Sequence, residues 1–163
     1  MDSWSIEVVS YHIDIQHACE GIVPVTDETL TQWVTTTLAL HCAAAELTLR
    51  FVDLKEITNL NRLYRKKNSP TNVLAFPASH PSTIELDVPL LGDVIVCPAV
   101  LKQESNELNK PLIAHWAHIV IHGVLHLLGY DHIEEDDALK MQALEVQLLA
   151  QFNFDNPYEI EAN

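Results

Sequence analysis

Apolar residues recur along this chain with two periods, and the switches between them outline a fold. Residues 4–10 (WSIEVVS) read as a first strand. Thr26 or Asp27 then starts a helix whose inward stripe is Leu30, Trp33, Val34, Thr37 and Leu38, at helical spacing. Leu47, Leu49 and Phe51 alternate with Thr48 and Arg50, the period of a half-buried strand. Asp53 caps the next helix, where Leu54, Ile57, Leu60 and Tyr64 return every three to four residues. Asn68-Ser69-Pro70 breaks that helix, and residues 72–76 (NVLAF) form a short buried strand closed by Pro77.

Residues 77–90 hold three prolines and two acids without a clear period, which predicts a long loop with a short edge strand at 83–86. Residues 92–97 (GDVIVC) are the next strand, and Pro98 suits the first turn of the helix after it. Pro111 opens a helix that runs to about Leu128. A last helix spans roughly 134–152, its first turn crowded by Glu134, Glu135, Asp136 and Asp137, where the helix dipole favours negative charge. Strands and five helices intermingle around one small sheet. The expectation is an α+β (α/β-like) fold in which residues 1–163 make a single domain.

Composition narrows the function. With 48% hydrophobic and 20% charged residues among 163, the chain has ordinary globular usage and is long enough to bury a core. Nine Lys and Arg against 23 Asp and Glu give a net charge of −14, which excludes a general basic coat for nucleic acid but not a local basic site. Cys19, Cys42 and Cys97 are scattered, offer no CxxC pair and suit a reducing compartment. Neither a secretory signal nor an uninterrupted apolar run of membrane length is visible, so a cytoplasmic protein without membrane contact is expected.

Five of the nine histidines fall between positions 115 and 132. At about 100° per residue, His115, His118, His122 and His126 share one helix face. His122 and His126 are one turn apart, so both imidazoles can point at a single ion. Gly129 follows the last apolar residues, where a left-handed residue can end the helix and return His132 to the same point. A lone histidine on an apolar helix is ordinarily a packed core residue, but the template His122-x3-His126-x2-Gly129-x2-His132 has the three ligands of a catalytic zinc site with an open position. His115 and His118 can orient those ligands or touch substrate, or can serve ordinary packing, and His118 and Asp131 are candidates to support the ligands. Zinc proteases with this spacing carry a Glu general base directly after the first His; here that position is Gly123, which demotes proteolysis.

Arg62, Arg65, Lys66 and Lys67 place four of the nine cations within six residues. Such a cluster can counter RNA phosphate, or can simply complement the C-terminal dipole of its own helix.

HGVLHLLGYDH (122–132), YRKKNSPTNVLAFP (64–77) and LLGDVIVCP (90–98) together closely resemble the YbeY family of bacterial endoribonucleases, over most of the chain and most strongly at 45–158. The resemblance implies a small, mostly parallel mixed sheet of four strands packed with helices. It also implies a metal-dependent, single-strand-specific endoribonuclease acting at the 3′ end of small-subunit rRNA and in ribosome quality control. His122, His126 and His132 match the family's zinc ligands, and Arg65 matches its phosphate-binding arginine. The family pattern has Asp where this chain has Asn68 and Asn72, and Ser at Ala75. Given the −14 charge, docking to the ribosome or a small-subunit ribosomal protein is expected to aid RNA capture, with DNA not a substrate. The competing readings are a ribosome-assembly factor whose metal is structural and, behind it, a metallopeptidase.

Overall fold

Four alternating runs pair into one open sheet in the computed structural model, which describes residues 10–78 and 88–159. The strands are β1 (Ser10–Ala18), β2 (Ala44–Val52), β3 (Val73–Pro77) and β4 (Leu90–Val96), in the order β1-β2-β4-β3. β1 and β4 both run parallel to β2, and β3 lies antiparallel on β4. The helices are α1 (Asp27–Leu38), α2 (Leu54–Arg65), α3 (Pro98–Leu108), α4 (Leu112–Leu127) and α5 (Glu135–Gln151). The mostly parallel mixed sheet with five helices agrees with the expected single-domain α+β fold.

Strand alternation divides the core between the two faces of the sheet. Leu47, Leu49 and Phe51 of β2, with Val94 and Val96 of β4, enter the larger cluster formed with α1, α4 and α5. Val52, Leu74, Ile95 and Cys97 point the other way and pack with Ile57 of α2. All five residues of the stripe read for α1 are buried, and Thr26 is its cap, its side chain accepting from the Thr29 backbone N–H. α4 is buried nearly all round, the expected position for a helix with little polar surface. No helix among the described residues is long and apolar enough to cross a membrane.

Several local expectations are corrected. The first described strand is 10–18, where Tyr11, Ile13 and Ile15 alternate with His12, Asp14 and Gln16; the strand placed at 4–10 falls, apart from Ser10, outside the described residues. The edge strand placed at 83–86 also lies outside them. Asp53 occupies the cap position of α2, but its carboxylate accepts from the backbone N–H of Glu20 at 3.2 Å rather than from the helix. Leu54 and Tyr64 are exposed, because α2 covers the small face of the sheet with only its Ile57–Asn61 stripe. β4 begins two residues early, at Leu90.

The seating of α4 on the sheet depends on Gly123. A Cβ there would stand 2.6 Å from Cγ1 of Val94 and 3.2 Å from Cγ2 of Val73. Both neighbours are β-branched and stiff, so neither yields easily. Gly123→Ala is expected to cost about 1–3 kcal/mol by overpacking. Calorimetry should read this as a fall in Tm of several degrees, and an unchanged Tm would show that α4 has room to lift.

Candidate metal centre

His122 and His126 stand one turn apart on α4, their ring centroids 4.6 Å apart and their Nε2 atoms 3.0 Å apart. The helix then ends as Gly129 adopts φ +102°, its N–H donating to His126 O (3.0 Å) while Tyr130 N–H donates to Leu125 O (3.1 Å). These paired bonds are the Schellman closure, which glycine adopts without steric penalty. Asp131 continues the reversal, its Oδ1 accepting from the Ile133 N–H at 3.2 Å. His132 is thereby returned to the helix, 5.6 Å from the His122 ring and 5.1 Å from that of His126. One nitrogen from each of the three rings lies within 4.8 Å of the other two. The bend at Gly129 thus does what its sequence position suggested.

A residue that the sequence reading missed orients this face. Glu145 of α5 is 1% exposed, and its Oε2 lies 2.9 Å from His122 Nδ1 and 3.0 Å from His118 Nε2. Tyr158 O–H donates to its other oxygen at 2.5 Å. Burial by itself would raise the Glu145 pKa, but the bonds from His118, His122 and Tyr158 and the nearby His118 charge outweigh it and hold the group at about 2. An ionised carboxylate only accepts, so Nδ1 of His122 carries a proton and Nε2 is the nitrogen left to face His126. Burial, followed by the charges of His122 and His132, pushes His126 down to about 4, so this ring is neutral near pH 7. Three ring nitrogens within reach of one point are, in their neutral form, the donor set that a borderline divalent ion such as Zn²⁺ accepts. His118, His122 and Glu145 also satisfy ligand spacing. Their separations of 2.9–3.0 Å are those of hydrogen bonds that fix a ligand from behind.

The signal for Glu145 was present in the sequence. It falls on the buried stripe Met141, Glu145, Leu148, Leu149 of α5, where an acid is out of place unless it has partners.

The three histidines open into a cavity of about 200 Å³ that Arg65, Asn72 and Gly123 also line. Arg65 is the last residue of α2, and Lys66 turns the chain there with φ 62°. Buried Asn61 ties the turn down: its carbonyl accepts from the N–H groups of Lys66 and Lys67, and its amide donates to Ser69 O at 2.8 Å. Arg65 has no hydrogen bond or ion pair among the described residues. Arg62, which donates to Asn59, and Lys66 and Lys67 are exposed and do not line the cavity. Of the four cations, the fold brings only Arg65 to the histidines. Asp131 is engaged with its own turn, and His118 contacts Glu145. Gly123 faces Val94 and Val73, so its position has no room for a glutamate side chain beside His122.

Comparison with known proteins points to one family. The family described as Endoribonuclease YbeY matches residues 14–153. Endoribonuclease YbeY of Legionella pneumophila strain Corby is 56% identical over 155 residues, covering 95% of this chain and 98% of that protein. The protein of the same name from strain Lens gives the same figures. The solution structure of TM1509 from Thermotoga maritima is 25% identical, with a TM-score of 0.57 over 90% of this chain and 99% of its own.

The buried ionisable groups give stability a direction in pH. His126, lowered from 6.5 to about 4, takes up its proton first in the unfolded chain, so acidification through that window favours unfolding. Glu145, lowered from 4.5 to about 2, contributes stability that is complete above 4.5 and lost as pH falls towards 2. Urea midpoints of metal-free protein are therefore expected to drop between about pH 7 and pH 4, and to drop less in His126→Gln. Parallel profiles for the two proteins would remove His126 as the source.

Proposed function

The chain belongs to the YbeY endoribonuclease family, and from that membership we propose that it hydrolyses phosphodiester bonds of single-stranded RNA at the histidine cavity. The observation that carries this reading is the meeting in one cavity of three converging ring nitrogens and an arginine without a partner among the described residues. His122, His126 and His132 would hold one Zn²⁺ per chain. When bound, the ion supplies Lewis-acid polarisation of a phosphoryl oxygen and a lowered pKa for water.

The chain's own side chains supply the remainder. Glu145 keeps the His122 proton on Nδ1 and fixes the ring, and His118 and Tyr158 hold Glu145 in turn. Arg65 presents a guanidinium with no partner among the described residues, suited to gripping a phosphate in a forked contact and offsetting charge that builds on it. Arg62, Lys66 and Lys67, exposed on the adjoining turn, would draw in the flanking backbone. The substrate we assign is the 3′ end of small-subunit rRNA, with ribosome quality control as the wider setting, in the cytoplasm, by a single domain of residues 1–163. A structural metal site is ordinarily closed by four protein ligands. The three-ligand group opening on Arg65 favours catalysis over an assembly factor with a structural ion, and Gly123 disfavours a peptidase.

Metal analysis should find about one zinc per chain in the native protein and a large loss in His126→Ala; equal contents would place the ion elsewhere. Arg65→Ala is expected to keep metal and fold while cleavage of single-stranded RNA falls about 10²–10³-fold. Unchanged cleavage would remove Arg65 from the site. With a net charge of −14, turnover of free RNA should be weak and should rise when small ribosomal subunits are present. Equal rates with and without subunits would count against partner-assisted capture.

A further inference from the structure

A second, partly buried network reaches the same cavity. Asn72, the residue before β3, lines the cavity, and its backbone carbonyl accepts from Cys97 N–H at 3.0 Å. Its side-chain Nδ2 donates to both carboxylate oxygens of Glu104 on α3, at 3.2 and 3.3 Å. Glu104 is held in turn by His115 of α4, whose Nε2 lies 3.0 Å from Oε1. His115 is 5% exposed and its Nδ1 is buried without a partner. A buried orphan lone pair is easier to tolerate than an orphan N–H, so Nε2 carries the proton and donates to Glu104.

This chemistry leaves the Asn72 amide only one orientation. A carboxylate cannot donate, so the amide nitrogen must face Glu104 and Oδ1 must face away from it. Oδ1 accepts from no donor among the described residues. The cavity therefore combines a free donor, Arg65, with a free and oriented acceptor, Asn72. Phosphate oxygens offer nothing to an acceptor. The donor that accompanies every RNA phosphate whatever the base is the ribose 2′-hydroxyl, the group that separates RNA from DNA.

Resting on the nuclease reading above, we infer that Asn72, clamped by Glu104 and His115, is a specificity-determining residue that accepts a hydrogen bond from a ribose 2′-hydroxyl beside the phosphate held by Arg65. A base edge or an attacking water is the alternative donor, and the test separates them, because only the ribose reading ties the effect to one sugar.

The experiment is a deoxyribose scan. The affinity of the full-length protein is read by fluorescence anisotropy with a labelled single-stranded RNA and with versions carrying one deoxyribose at successive positions. Cleavage is followed in parallel. For the wild type, one position should weaken binding about three- to tenfold, the worth of one hydrogen bond. Asn72→Ala should bind the all-ribose strand as weakly as the wild type binds that deoxy strand, and should no longer sense the substitution. Glu104→Ala, which frees the amide to turn over, should show a reduced step and serves if Asn72→Ala does not fold. A flat wild-type scan alongside normal cleavage overturns the Asn72 assignment and leaves the nuclease reading standing. An undiminished deoxy step in a folded variant of Asn72 or Glu104 overturns it as well. Failure of the wild type to bind or cleave the all-ribose strand overturns both.

Discussion

The histidine face of α4 is ordered by a carboxylate that scarcely meets water. Glu145 would be costly to bury alone, and it is tolerated because three donors converge on its two oxygens. The same bonds decide which nitrogen of His122 carries the proton, and so which nitrogen is free to face His126 and His132. With the His122 proton on Nε2 instead, an N–H would point at His126 and the three-nitrogen convergence would be lost.

Around this centre the fold separates tasks by element. α4 and the turn after it bring the ring nitrogens together, α5 holds His122 from behind through Glu145, and the end of α2 delivers Arg65. The absence of a side chain at Gly123 is what allows these parts to meet: it lets α4 lie against Val94 and Val73, and it removes the position from which a zinc protease would activate water. One small residue thus serves the packing and narrows the chemistry.

The net charge of −14 works against long-range attraction of RNA. Recognition must then come from contacts made at short range. A guanidinium and an oriented amide oxygen facing one cavity are of that kind, since a hydrogen bond depends on geometry where steering depends on the sum of charges.

Much of this was legible in the order of residues. The inward stripe of α1, the alternation in β2, the Pro98 helix start and the one-turn His122–His126 spacing are local properties, set by fixed backbone periods, and glycine's access to positive φ marked the reversal at 129. Charge clustering pointed to residues 62–67 but could not say which cation faces the histidines, because that depends on how Asn61 ties the turn down. An acid on the apolar stripe of α5 marked Glu145 as a residue in need of partners, but the partners of Glu145 and of Glu104 were out of reach. The two acids lie 23 residues from His122 and 32 from Asn72, and such pairings come from helix-on-helix and helix-on-sheet packing, which no local period encodes. The sequence by itself determined most of the elements and the spacing of the three histidines. Tertiary structure decided which nitrogen of His122 is held by a carboxylate and which side chains line the cavity, since both depend on partners distant along the chain.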